Sequence, residues 1–265
     1  MSTAPDVIAR EFSDSSALIT GGTSGVGLET ALQLVAAGLR RIALIGRNAE
    51  RGEAARQKVL AVAPDATVLF LQGDANHVDQ AQRLVAEAHT GLGSIDILVN
   101  ATIGIYTPEP LIKTPIEDLQ PMILSVVMAP MLMSKLVLPH MAERKGGAII
   151  NIASDAAKVP TPGETVLGAA MAAIVVFSRT LAMEAKRNGI RVNVLTPSLI
   201  EGTPTAERNQ ASGFSAKLFA KIKPMAQLGV AKPGDLASLI VYLASPAAGR
   251  LTGQTISVNG GVSAG

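Results

Sequence analysis

The run TGGTSGVG, residues 20 to 27, concentrates more chemistry-bearing residues at fixed spacing than any other stretch of the chain. Gly21, Gly25 and Gly27 let the backbone turn tightly and approach a ligand closely, while Thr23 and Ser24 add hydroxyl groups. Between a strand and a helix, such a turn suits a pyrophosphate, whose charge then lies at the positive end of the helix. Further on, IGRNAER ends a second strand-like run with Arg47, where an NAD site keeps a carboxylate for the ribose 2′-hydroxyl. An arginine there suits a 2′-phosphate, so the cofactor indicated is NADP(H), with NAD(H) second. Asp74 in QGDAN and Asn100 in LVNA end the third and fourth runs and are expected on the same edge of a sheet. Asp74 would accept from the adenine amino group.

A second set follows GAIINIAS, which ends in Ser154. Asp155, Lys158 and Glu164 come soon after it and could handle protons, although charged groups in a loop are more simply solvated. Tyr106, after NATIGI, is one of only two tyrosines and is a candidate acid. A free Tyr titrates near ~10, so it would need a lowered pKa to trade protons at neutral pH. Tyr242, in LASLIVYLAS, reads as core packing. His77, His89 and His140 fall on helical segments without metal-ligand spacing, and no Ser–His–Asp arrangement is suggested, so no metal is expected. Cysteine is absent, which excludes disulfides and thiolate chemistry and suits a reducing compartment.

The elements that must position these residues alternate along the chain. Short β-branched runs at 16–22, 41–47, 67–74, 95–101, 147–154, 190–197 and 254–261 suit strands buried on both faces. Helical patterns lie between them at 27–38, 50–62, 78–90, 116–144, 167–188 and 233–244. This alternation predicts an α/β fold: a Rossmann-type, doubly wound, seven-stranded parallel sheet with helices on both faces. No linker interrupts it, so residues 1–265 read as one domain, with a flexible tail over about 1–14 and a lid-like segment over about 201–227. The chain is 48% hydrophobic and 17% charged, which favours a large core over disorder. A net charge of +2 without a basic stripe argues against nucleic acid. The N-terminus lacks an apolar signal, and the longest apolar tract, 122–134, is broken by Pro130, so no membrane span is expected and the location reads as cytoplasmic.

TGGTSGVG, GDA, DILVNA, GAIINIAS, NGIRVNVLTP and LTGQTISVNGG stand in order over nearly the whole chain. Together they resemble the short-chain dehydrogenase/reductase family, which includes ketoacyl reductases and hydroxyacyl-thioester dehydrogenases. The resemblance implies an NAD(P)(H) site, a tetramer and a catalytic set of Asn, Ser and Tyr-x-x-x-Lys. Ser154 matches the family's Ser. Leu167 and Met171 occupy the Tyr and Lys positions, and Val126, with Ser125 beside it, occupies the Asn position. A nearby Lys normally lowers the Tyr pKa, so three apolar replacements remove the ordinary proton donor. The chain therefore resembles a catalytically degenerate member, of the non-catalytic subunit type found in heteromeric hydroxyacyl-thioester dehydrogenases. The function expected is a structural or regulatory pseudoenzyme in a homo- or heterotetramer, paired with an active paralogue. The alternative is an active NADP(H)-dependent reductase, for example of a double bond, or a lyase or hydrolase with a rebuilt site around Ser154, Tyr106 and Glu164. By the same resemblance the Met-rich segment, with Met122, Met128, Met131, Met133 and Met141, is expected at a subunit interface.

Overall fold

Branched apolar runs form parallel strands because such residues pack well on a pleated surface that is covered on both faces. In the computed structural model, which describes residues 10–211 and 213–264, these are β1 (Ala17–Thr20), β2 (Arg41–Gly46), β3 (Thr67–Gln72), β4 (Ile97–Asn100), β5 (Gly147–Ile152), β6 (Ile190–Pro197) and β7 (Thr255–Val258). Their order across one sheet is β3-β2-β1-β4-β5-β6-β7. The order reverses between β1 and β4, and a doubly wound sheet opens a crevice at the carboxyl ends of its strands there. Of the expected flexible tail, residues 1–9 lie outside the described residues, and Phe12–Asp14 forms a single 3-10 turn.

The helices are α1 (Gly25–Ala36), α2 (Ala49–Val62), α3 (Val78–Leu92), α4 (Leu119–Glu143), α5 (Thr165–Ala185), α6 (Pro204–Gln210), α7 (Gly213–Ile222) and α8 (Pro233–Ala244). One face of the sheet is covered by α1, α2 and α8, with Leu34, Val59 and Ile240 fully buried against Ile42 and Leu44 of β2. The other face is covered by α3, α4 and α5, with Leu84, Met133 and Ala182 packed on Leu18 and Leu98. Each such Leu or Ile contributes roughly 1.5–3 kcal/mol of burial free energy, which fixes the strand ends that carry the site.

The helical pattern over 116–144 is borne out, with α4 continuing through both Pro130 and Pro139, while the readings of the methionines and of Tyr242 change. By length and composition, Ile116–Glu143 and Thr165–Asn188 could each cross a membrane, yet here both pack on the sheet and on one another. The methionines of α4 are mainly core: Met122, Met133 and Met141 are buried, while Ile123 and Leu124 are exposed. Tyr242 is not core packing, because it sits on the outer side of α8 with 45% exposure. The lid-like segment is itself helical, built from α6, α7 and a 3-10 turn at Lys223–Met225.

Candidate functional site

The glycine turn joins β1 to α1 through two left-handed residues, Gly21 at φ +66° and Gly25 at φ +51°. A Cβ on Gly21 would stand 2.6 Å from the Ala101 carbonyl oxygen, and one on Gly27 would overlap the carbonyl of Gly21. Only glycine lets the helix start lie this close to the strand ends. Ser24, the N-cap of α1, makes no side-chain capping bond, so it does not block the first turn of the helix. The turn therefore offers backbone N–H groups and a helix dipole to an anion, a fit for the pyrophosphate of a dinucleotide.

At the end of β2, the Arg47 guanidinium is mostly exposed and lies 3.7 Å from Asp74 Oδ2. Asp74 Oδ1 accepts from the backbone and side-chain N–H groups of Asn76 at 3.0 and 2.9 Å. Asn48 caps α2 by accepting from the Arg51 N–H at 2.8 Å, and Arg51 joins Arg47 on the cleft wall.

These residues line one end of a cleft of about 1340 Å³. The cleft takes in Gly21, Thr23, Ser24, Gly25, Arg47 and Asp74, then runs on to Tyr106, Ser154, Leu167 and Met171. Thr203, which caps α6 by accepting from the Ala206 N–H at 3.1 Å, packs over Gly25 and places the lid helices along its rim. Gly27 and Asn100 do not line the cleft. Asn100 is buried, donating to Asn151 Oδ1 at 2.8 Å and accepting from Thr20 Oγ1 at 3.2 Å, so it ties β1, β4 and β5 together.

Val126, Leu167 and Met171 pack into one apolar cluster with Met122, Ala170 and Ile174. Leu167 and Met171 reach the cleft wall, whereas Val126 is buried behind it and its neighbour Ser125 lines the cleft instead. Ser125 Oγ donates to the Met122 carbonyl at 3.0 Å, a common bond within a helix that hides its polarity from sequence inspection.

Ser154, two residues after β5, caps the following 3-10 turn by accepting from the Ala156 N–H at 3.3 Å, which leaves its own hydroxyl hydrogen available to a substrate. The charges after it are not solvated as expected. Asp155 is buried, with Oδ2 accepting from Ser263 Oγ at 2.5 Å and Asn259 Nδ2 at 3.3 Å. Its Oδ1 accepts no hydrogen bond from any described residue and lies 3.9 Å from Lys158 Nζ. Lys158 also donates to Ser257 Oγ on β7. Glu164 lines the cleft, and burial pushes its carboxyl up to about 7. The charge of Asp155 adds to that rise, and a hydrogen bond with Thr161 opposes it. Tyr106 is a poorer acid than a free Tyr, raised first by desolvation and then by Asp118, to which its hydroxyl donates at 3.3 Å. Among the described residues, no cluster of His, Cys, Asp or Glu could hold a metal.

Residues 15–212 match the family described as short chain dehydrogenase. A 3-oxoacyl-[acyl-carrier-protein] reductase of Synechocystis sp. is 31% identical over 93% of this chain and 96% of its own length. The solved 3-ketoacyl-(acyl-carrier-protein) reductase of Brucella melitensis, complexed with NADH, superposes with a TM-score of 0.84 at 27% identity, covering 96% of this chain and all of that one. Levodione reductase superposes with a TM-score of 0.86 at 27% identity, over 94% of this chain and 98% of its own. These relatives overturn the expectation of a non-catalytic subunit that depends on an active paralogue. They match along almost their entire length and carry the names of reductases in their own right. The physical reason is that the missing Tyr and Lys remove one proton donor, while the cleft beside them keeps other ionisable groups.

Proposed function

The chain belongs to the short-chain dehydrogenase family, and on that premise we propose that it is an active NADP(H)-dependent reductase with a rebuilt proton-donating corner. One observation carries the proposal: the glycine turn and the Ser154 corner open into a single cleft, so a cofactor and a substrate would lie side by side. When bound, the reduced nicotinamide supplies a hydride. Gly21, Gly25 and the first turn of α1 would hold the pyrophosphate, and Arg47 with Arg51 would hold a 2′-phosphate, which favours NADPH over NADH. Ser154 would donate a hydrogen bond to the substrate oxygen and orient the carbon that is reduced. Leu167, Met171, Met128 and Leu124 give the substrate end an apolar wall, so the substrate is an apolar carbonyl compound or its conjugated enone. The lack of cysteine and of a basic stripe is in keeping with a soluble cytoplasmic enzyme, and the outer faces of α4 and α5 with a homo-oligomer.

NADPH oxidation by the purified chain, with a 3-oxoacyl thioester, a cyclic diketone and an enone offered separately, tests the reading. Steady turnover of at least one is expected. Tight NADPH binding without oxidation in the presence of any of the three would overturn it.

A further inference from the structure

The family's tyrosine position holds Leu167, yet one helical turn earlier the same wall of the cleft carries a carboxyl group. We infer that Glu164 is the proton donor of the reaction, acting from the N-cap of α5, three residues before the position of the missing tyrosine. The inference rests on the reductase reading above.

Glu164, at the N-cap of α5, and Leu167, in its first turn, both line the cleft. Glu164 stands at the N-cap, where its carbonyl accepts from the Gly168 N–H at 2.6 Å, but its side chain makes no capping bond and is not consumed in holding the helix. The helix dipole there favours a carboxylate, but burial works against the charge and prevails. Phe214 of α7 closes over the adjoining Gly163, where an added Cβ would collide with its ring.

The charged groups on the elements around this corner are Asp155 and Lys158 on the turn after β5, Glu109 on the loop after β4, and Lys217 and Lys221 on α7. Glu109 donates its backbone N–H to the Gly163 carbonyl at 2.8 Å. Asp155 acts on Glu164 as a like charge and is itself supported by Ser263, Asn259 and Lys158. Burial first, and then the charge of Asp155, raise the Glu164 carboxyl to about 7, so it can give up a proton near neutral pH.

In the reaction, hydride arrives at the carbonyl carbon and the C=O π bond breaks. The oxygen that gains the electron pair takes the proton from the Glu164 carboxyl. The products are the alcohol, the oxidised cofactor and a Glu164 carboxylate, which regains a proton from water at the mouth of the cleft. With an enone, hydride arrives instead at the β carbon, the C=C π bond breaks, and the same proton goes to the carbon next to the carbonyl.

The test uses the full chain, Glu164→Gln and Glu164→Asp. Infrared titration of the chain without cofactor should show a protonated carboxyl band with a midpoint near 7 that Glu164→Gln removes. In turnover, wild-type kcat should fall on the alkaline side of that midpoint. Glu164→Gln should lower kcat by ~10²–10⁴-fold with NADPH affinity unchanged and the alkaline limb gone. Glu164→Asp should recover part of the rate with a displaced limb. If wild type turns over nothing, the reductase reading fails and this assignment fails with it. If wild type turns over and Glu164→Gln keeps its rate and its limb, or if Tyr106→Phe carries the loss instead, only the Glu164 assignment is overturned.

Discussion

Two side chains carry the reading proposed for the cleft, and they differ in how far the sequence reveals them. Arg47 ends β2 with its guanidinium mostly in solvent and only Asp74 within 3.7 Å, so it can turn towards a phosphate without breaking a buried bond. An exposed charge-assisted contact of this kind is worth about 1.4 kcal/mol, a tenfold change in affinity. Arg47→Leu should therefore raise the Kd for NADPH about tenfold while changing that for NADH less than about twofold. Fluorescence titration with both cofactors measures this, and an equal change in both would show that Arg47 does not read the 2′-phosphate. The role proposed for it comes from IGRNAER, through its position at the end of the second strand. Leu167 and Met171 are legible in the same way, by their distance from Ser154. Glu164 is not. Its raised pKa comes from desolvation in the folded cleft, with the charge of Asp155 adding to it, and a local run of sequence does not report burial of a single polar side chain.

Elements show the same division between local and tertiary causes. The strands were readable because β1 and β4 are buried along their whole length, and continuous branched apolar runs report that condition directly. The course of α4 follows the 116–144 pattern even though Pro130 normally argues for a break. Here Asn76 Oδ1, from the loop after β3, accepts from the Ala129 N–H at 3.0 Å, and the packing of Met133 and Val137 holds the helix through the proline. Where α3 meets α4, the rings of His89 and His140 stack with centroids 4.1 Å apart. Partial burial lowers the His140 pKa, the nearby His89 lowers it further, and Glu143 opposes both. The unfolded chain then takes up the proton first, at about 6.5. This contribution is complete above that value and is lost as pH falls towards the lower folded pKa. The Tm difference between wild type and His140→Gln should accordingly shrink or reverse as pH falls below about 6.5. A difference that stays constant across that range would show that the stacked pair has no part in acid sensitivity.

At the scale of the whole molecule, α5 has two duties. Its first turns line the cleft with Leu167 and Met171, and its outer side presents Val176 and Met183, each 63% exposed. Ile123 of the adjoining α4 is exposed as well, and α4 and α5 pack along each other. A monomer gains nothing by leaving a helix pair apolar on its outer side, whereas a second copy laid across it would remove that surface from water. This also accounts for the all-round apolarity of both helices, which by length and composition alone would serve a membrane span. Placing Val176→Glu and Met183→Lys together on this face should lower the mass measured by light scattering, from that of an oligomer to that of a smaller species. Because association draws on the folded state by mass action, the Tm of wild type should also rise with protein concentration, and that dependence should vanish in the double variant. An unchanged mass would show that some other surface holds the copies together and that the apolar side of α5 has another occupant.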